Sequence, residues 1–322
     1  METPIAFLVF NRPETTIKVF EAIRQAKPKK LLVVADGSRP NRPGEAERCA
    51  ATRAIIDRVD WDCEVLTNYS DVNLGCRERV SSGLKWVFDI VEEAIILEDD
   101  CVPHPTFFPY CEELLGHYRD DERVMAISGQ KSQPQYQRTQ YSYYFSRYFH
   151  VWGWASWRRA FQHFDAHLHL WPAIQDGELL KDLLIDGRSA RYWSNIFQGV
   201  YAGEINTWDY QWLFACWIHS GLTILPSVNL ISNIGCTAEA THTVNISHPN
   251  ANDPTEAITL PLKHPPFVIR DIRLDELIQE VGFTPSLVTR LQRKIRNVFS
   301  KSPLASLFKS PFPAKKHYKK KN

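Results

Sequence analysis

The sequence contains no run of about 18 consecutive apolar residues, so no segment reads as a membrane span. Its seven cysteines are odd in number and none forms a Cys-x-x-Cys pair, which argues against a disulfide framework and against a structural zinc site. Met1-Glu2-Thr3-Pro4 runs straight into a strand-like segment, without the basic region, apolar core and small-residue site of a secretory leader. A reducing cytoplasm is therefore the expected setting. No Gly-x-Gly-x-x-Gly follows the first strand and no Gly-x-x-x-x-Gly-Lys-Ser/Thr occurs anywhere, so dinucleotide-binding and P-loop readings lose support. Acidic residues are missing from Gly282 to Asn322, where eleven Lys and Arg stand alone. The rest of the chain then carries 27 basic against 37 acidic residues. An acidic body argues against nucleic acid as its partner. No internal repeat is visible.

What is present is an ordinary globular composition, 322 residues with 44% apolar and 23% charged, enough to bury one large α/β core or one and a half. Strand and helix signals alternate over the first 130 or so residues. Ile5–Phe10, Leu31–Ala35, Glu64–Thr67, Ala94–Leu97 and Val124–Ile127 read as strands. Glu14–Ala26, Gly44–Val59, Arg77–Glu93 and Phe107–Tyr118 read as helices, the last with Thr106 as its N-cap and Pro109 in its first turn. The repetition predicts an α/β fold with a mostly parallel central sheet and helices on both faces.

Such sheets bind ligands beyond the carboxyl ends of their strands. The residues expected there are polar and acidic: Asn11-Arg12-Pro13, Asp36-Gly37-Ser38, Asp71-Val72-Asn73-Leu74-Gly75 and Glu98-Asp99-Asp100. Three consecutive carboxylates after an apolar strand are costly to gather unless something positive neutralises them. Oxygen ligands at one strand end suit Mn²⁺ or Mg²⁺, with diphosphate oxygens completing the shell. The alternative is a solvated acidic turn with one carboxylate at a helix start.

The run Ile95-Ile96-Leu97-Glu98-Asp99-Asp100-Cys101, continued by Pro103-His104-Pro105-Thr106-Phe107-Phe108, resembles the Glu-Asp-Asp metal motif and following helix of N-acetylglucosaminyltransferase I-like enzymes. Those are GT-A-fold glycosyltransferases that use UDP-sugars. Asp36-Gly37-Ser38 is similar to their nucleotide-contacting strand end. Val151-Trp152-Gly153-Trp154-Ala155-Ser156-Trp157 and Ala240-Thr241-His242 are similar to segments of bacterial family 2-like relatives, and Trp208-Asp209-Tyr210-Gln211-Trp212 resembles the segment that carries the catalytic aspartate. The likeness runs from about Pro4 to Thr243. It departs at Thr237-Ala238-Glu239, which stands where an acidic Gly-Glu-Asp is expected.

The resemblance implies a nucleotide-sugar donor, a glycan or lipid-linked acceptor, and Mn²⁺ or Mg²⁺ held by Asp100 with His242. It implies Glu98 and Asp99 on the ribose and donor sugar, Asp36 and Gly37 at the base, and Asn11, Arg12 and Arg77 toward the nucleotide. Asp209 would be the general base of an inverting transfer. It would equally serve a capping box, with Asn206 as N-cap and Asp209 at N3. Eight of the ten tryptophans lie between Trp152 and Trp217. Most suit core packing, while Trp152, Gly153 and Trp154 are the expected acceptor-side surface.

On this reading residues 1–130 form the nucleotide-sugar half, 131–249 the acceptor and catalytic half, and 250–281 a connecting segment. Residues 282–322 form a basic amphipathic helix with a Lys-rich tail, suited either to an anionic membrane surface or to docking on the catalytic body. Two other readings remain open: a sugar-phosphate nucleotidyltransferase, which Phe10-Asn11-Arg12-Pro13 fits poorly because it is not Gly-rich and basic, and a non-catalytic sugar-binding module.

Overall fold

The computed structural model describes residues 1–131, 133, 136–184, 186–235 and 252–284. His242 and the basic segment after Thr284 lie outside these described residues.

The chain begins with three strand–helix units. These are β1 (Ile5–Val9) and α1 (Pro13–Ala26), β2 (Lys30–Ala35) and α2 (Glu45–Arg53), then β3 (Glu64–Tyr69) and α3 (Gly75–Ile90). Next come β4 (Glu93–Glu98), the short β5 (Cys101–Pro103), α4 (Phe107–His117), β6 (Val124–Ser128), β7 (Tyr143–Ser146) and β8 (Trp154–Trp157). The helices α5 (Arg158–Phe161), α6 (Trp171–Asp176), α7 (Leu180–Leu183), α8 (Gly187–Tyr201) and α9 (Asp209–Ile218) follow. The described chain closes with β9 (Leu222–Pro226), β10 (Ile231–Asn233), α10 (Ile272–Ile278) and a π-helical turn at Gln279–Phe283.

Eight strands form one sheet in the order β3-β2-β1-β4-β8-β6-β9-β7. β3, β2, β1 and β4 are mutually parallel, and β8 runs antiparallel between β4 and β6. The expected mostly parallel sheet with flanking helices is present. The insertion of β8 beside β4 is what carries residues 151–157 to the end of the acidic strand.

The two-residue period of the strands sorts the core onto two faces. Leu8, Val34, Ile96 and Trp154 pack with α3, α8 and α9, while Phe7, Val33, Leu97 and Trp157 pack with α1 and α4. Local chemistry shifted some expected boundaries. The helix expected over 44–59 ends at Arg53, and a 3₁₀ turn at Ile56–Arg58 then buries Ile55 and Ile56. Thr106 does not cap α4 with its side chain. Its hydroxyl lies 2.9 Å from His104 Nδ1 and accepts from Ile258 N–H at 3.1 Å.

The stretch 250–281, expected to be a connector, is built into the body where it is described. Ile258, Leu262, Leu274 and Ile278 are buried. Glu113 accepts from Leu262 N–H, and the Ser146 hydroxyl donates to Asp275 at 2.5 Å. Among the described residues no helix is long and apolar enough to cross a membrane.

Candidate active site

A cleft of about 440 Å³ opens at the carboxyl ends of β1, β2 and β4, within the usual range for a small-ligand site. Glu98 closes β4, and Asp99 and Asp100 form the turn into β5. Arg12, immediately before α1, bridges both aspartates. Its Nη2 donates to Asp99 Oδ1, and its Nη1 donates to Asp100 Oδ2 at 2.9 Å. Asp99 Oδ2 also accepts from Phe10 N–H at 3.2 Å. Burial pushes the Asp99 carboxyl up to about 6 against the pull of Arg12. Burial, then Asp100 and Asp99, push Glu98 up to about 8, with Asp209 adding to the effect.

Among the described residues, the positive charge bonded to this carboxylate group is the Arg12 guanidinium. Among the described residues no group of three His, Cys, Asp or Glu forms a closed ligand set for an ion. The donor chemistry still suits a hard divalent cation, because one or two carboxylates suffice when phosphate oxygens supply further ligands.

Asp36 sits at the end of β2 and is buried. It accepts from Gly37 and Leu74 N–H at 2.9 Å, and from Gly75 N–H and Asn73 Nδ2 at 3.0 Å. Four bonds fill the lone-pair sites of a carboxylate. Asp36 lines the cleft, and its carboxylate fixes the loop that starts α3. Gly37 belongs to the same arrangement, since a Cβ there would lie 2.5 Å from the Val72 carbonyl carbon.

Two other expected nucleotide contacts are turned elsewhere. Arg77 pairs with Glu78 at 3.0 Å, and Asn11 Nδ2 donates to Glu45 at 3.0 Å; neither lines the cleft. The basic groups that do line it are Arg12, Arg39 and Arg79. Arg79 is held by the Ala35 carbonyl at 3.0 Å and by Asn68. The helical spacing of Cys76, Arg79, Val80 and Gly83, with Gly83 against Val34, was the sequence signal that α3 turns this face toward the sheet.

The opposite wall comes from the second half of the chain: Val151, Trp152, Asn206, Thr207, Trp208 and Asp209. Asp209 is the first residue of α9, so it is not the N3 member of a capping box begun by Asn206. Thr207 Oγ1 donates to Asp209 Oδ1. Trp152 reaches the cleft, but Trp154 does not. Trp154 is fully buried, stacked on Trp208 at 5.7 Å and tilted against Trp212 at 6.0 Å. β8 alternation directs it into the core beneath the cleft, which corrects its placement on the acceptor surface. Gly153 has φ +57° and its Cα faces Ile231, where a Cβ would meet Cδ1 at 2.4 Å, so it serves close packing.

No protein-family model and no curated protein matches the chain. Among solved structures it is similar to a UDP-glucose pyrophosphorylase complexed with UDP-glucose, at 8% identity and a TM-score of 0.31, over 51% of this chain and 79% of that one. It is similar to HddC from Yersinia pseudotuberculosis at 8% identity and a TM-score of 0.29, over 48% of this chain and 77% of that one. It is also similar to mouse xyloside xylosyltransferase 1 at 10% identity and a TM-score of 0.34, over 69% of this chain and 84% of that one. At these values the functional reading rests on the cleft itself.

Proposed function

We propose that the chain is a glycosyltransferase that moves a sugar from a nucleotide-diphosphate donor, a UDP-sugar in the first instance, to a glycan or lipid-linked acceptor. The single observation that carries this reading is that one cleft is walled by Arg12 and the Glu98–Asp99–Asp100 strand end on one side and by Asp209 on the other. The first wall offers charged groups for a diphosphate. The second offers a carboxylate at the first residue of a helix, facing the same cleft.

In this reading Asp209 accepts the acceptor hydroxyl's proton as the oxygen attacks the anomeric carbon and the nucleoside diphosphate leaves, which inverts that carbon. Arg12 faces the phosphates, Glu98 and Asp99 flank the donor, and Trp152 offers the acceptor an apolar face with a polar edge. Asp100 would hold Mn²⁺ or Mg²⁺, which when bound offsets the charge of the leaving diphosphate. The metal role expected for His242 and the membrane contact expected of the basic segment fall outside the described residues.

A thermal-shift panel of UDP-, GDP- and dTDP-sugars, with and without Mn²⁺, tests the reading, because a ligand that binds the native state raises its apparent stability. At least one nucleotide sugar should raise the melting temperature, and more so with Mn²⁺. No shift from any of them would remove the proposal.

A further inference from the structure

We propose that Thr207 is a positioning residue for Asp209, holding its carboxylate in the orientation that receives the proton. This rests on the reading of Asp209 as general base.

The N-cap position of α9 is Trp208, whose side chain makes no capping bond. Thr207, one residue earlier, donates through Oγ1 to Asp209 Oδ1, two residues on. That hydrogen bond restrains the otherwise loose final torsion of the aspartate.

Thr207 is itself fixed by a residue that has no place in the chemistry. Gln211 is fully buried in the first turn of α9, and its Nε2 donates to the Thr207 carbonyl at 2.5 Å and to the Ala166 carbonyl at 3.3 Å. Its Oε1 is buried with no hydrogen-bond partner among the described residues. Burying half an amide unsatisfied is unfavourable, and a leucine would fill the space without that cost. The retained amide ties the 206–208 turn to the loop at Ala166, so the support runs Ala166–Gln211–Thr207–Asp209. Trp154 stacks on Trp208 and Phe149 meets it edge-on, which keeps the turn from sliding.

The proton's path sets the requirement. The acceptor O–H bond breaks toward the Asp209 carboxylate, the O–C1 bond forms, and the C1–oxygen bond to the diphosphate breaks with its electron pair leaving on phosphate oxygen. Misplacing the carboxylate slows this step without changing how the donor is held by the other wall.

The test uses the full chain and release of nucleotide from a UDP-, GDP- and dTDP-sugar panel in which water replaces the acceptor. The donor turned over fastest by the unsubstituted protein serves for all variants. Thr207→Val should lower kcat by about 10²-fold with KM for the donor within twofold, the size of loss expected from a misaligned reacting group. Thr207→Ser should restore most of the rate. Added to Asp209→Asn, Thr207→Val should cause no further loss, since residues acting through one group are not additive.

Normal kcat in Thr207→Val, an equal loss in Thr207→Ser, or additive losses in the double variant would each overturn the positioning role and leave Asp209 standing. If Thr207→Val and Thr207→Ala both lose the folded melting transition while Thr207→Ser keeps it, Thr207 is structural and the proposal fails. Normal turnover by Asp209→Asn, or no nucleotide release by the unsubstituted protein from any donor, removes the general-base reading and this proposal with it.

Discussion

The two walls of the cleft are stabilised by opposite means. On the β1–β4 side, buried aliphatic strands end abruptly in charged groups, and hydrogen bonds and ion pairs hold the rim. Arg12 bridges Asp99 and Asp100, and Asp36 gathers the loop before α3. On the side of α8 and α9 the wall rests on rings. Trp154, Trp193 and Trp212 are fully buried; Trp154 meets Trp208 and Trp212, Trp212 meets Phe161, and Trp193 meets Phe197 and Trp217. The polar rim concentrates charge where a ligand reaches it, at some expense in stability. The aromatic floor carries no chemistry, and it fixes a single carboxylate at its upper edge. Substitutions in the rim should therefore appear mainly in turnover, and substitutions in the floor mainly in stability.

The sharpest separation should come from Asp209→Asn, which keeps shape but cannot take the proton. Transfer should fall by about 10²–10⁴-fold, whereas the lost charge at the α9 N-terminus should alter stability by only about 0.3–1 kcal/mol. Turnover and melting temperature measured on the same preparation decide this. Near-normal transfer would remove Asp209 from the chemistry and with it the argument for inversion.

The converse case is Trp212→Ala. Trp212 is fully buried against Trp154, Phe161 and Phe164, and truncation should cost about 3–5 kcal/mol, read as a lower urea midpoint. A large loss of turnover with an unchanged midpoint would break the comparison.

A third effect depends on pH. His150 Nε2 is buried without a hydrogen-bond partner among the described residues, and burial pushes the imidazole down to about 4. The unfolded chain then binds the extra proton between about pH 6.5 and 4 while the folded chain does not. Stability from this group is present above about pH 6.5 and is lost as pH falls toward 4, by at most on the order of 3 kcal/mol. His150→Gln should flatten that part of the stability–pH curve. An identical slope in both proteins would contradict the assignment.

The first wall was legible because strand–helix units announce themselves by period. Ile5–Val9 and Leu31–Ala35 are continuous apolar runs, each followed by polar residues at the rim. Two things were not legible there. A sequence shows that three carboxylates need a positive partner but not that Arg12, 87 residues away from Asp99, reaches them. It shows Asp36 at a strand end but not that the loop before α3 folds back to use all its lone pairs.

In the second wall, Trp152 and Trp154 sit two residues apart and share a composition, yet only one reaches the cleft. What separates them is that β8 starts between them: Trp154 takes the inward position of a strand paired with β4, and Trp152 precedes it. That pairing is a long-range choice, antiparallel between two parallel strands, and no local pattern specifies it. The segment 252–284 was obscured by its proline and polar content, which hid the spaced Ile258, Leu262, Leu274 and Ile278.

The central claim is that this cleft holds a nucleoside diphosphate between the two walls. The most direct measurement is calorimetric titration of UDP, GDP and dTDP, with Mn²⁺ present, into the unsubstituted protein and into Asn206→Trp. Asn206 is exposed and lines the cleft beside Asp209, so a tryptophan there fills space without disturbing the core. The account predicts one site per chain for at least one diphosphate, weakened by about tenfold or more in the variant, or about 1.4 kcal/mol, with the melting temperature unchanged. No binding of any of the three to the unsubstituted protein, or equal binding by both proteins, would contradict it.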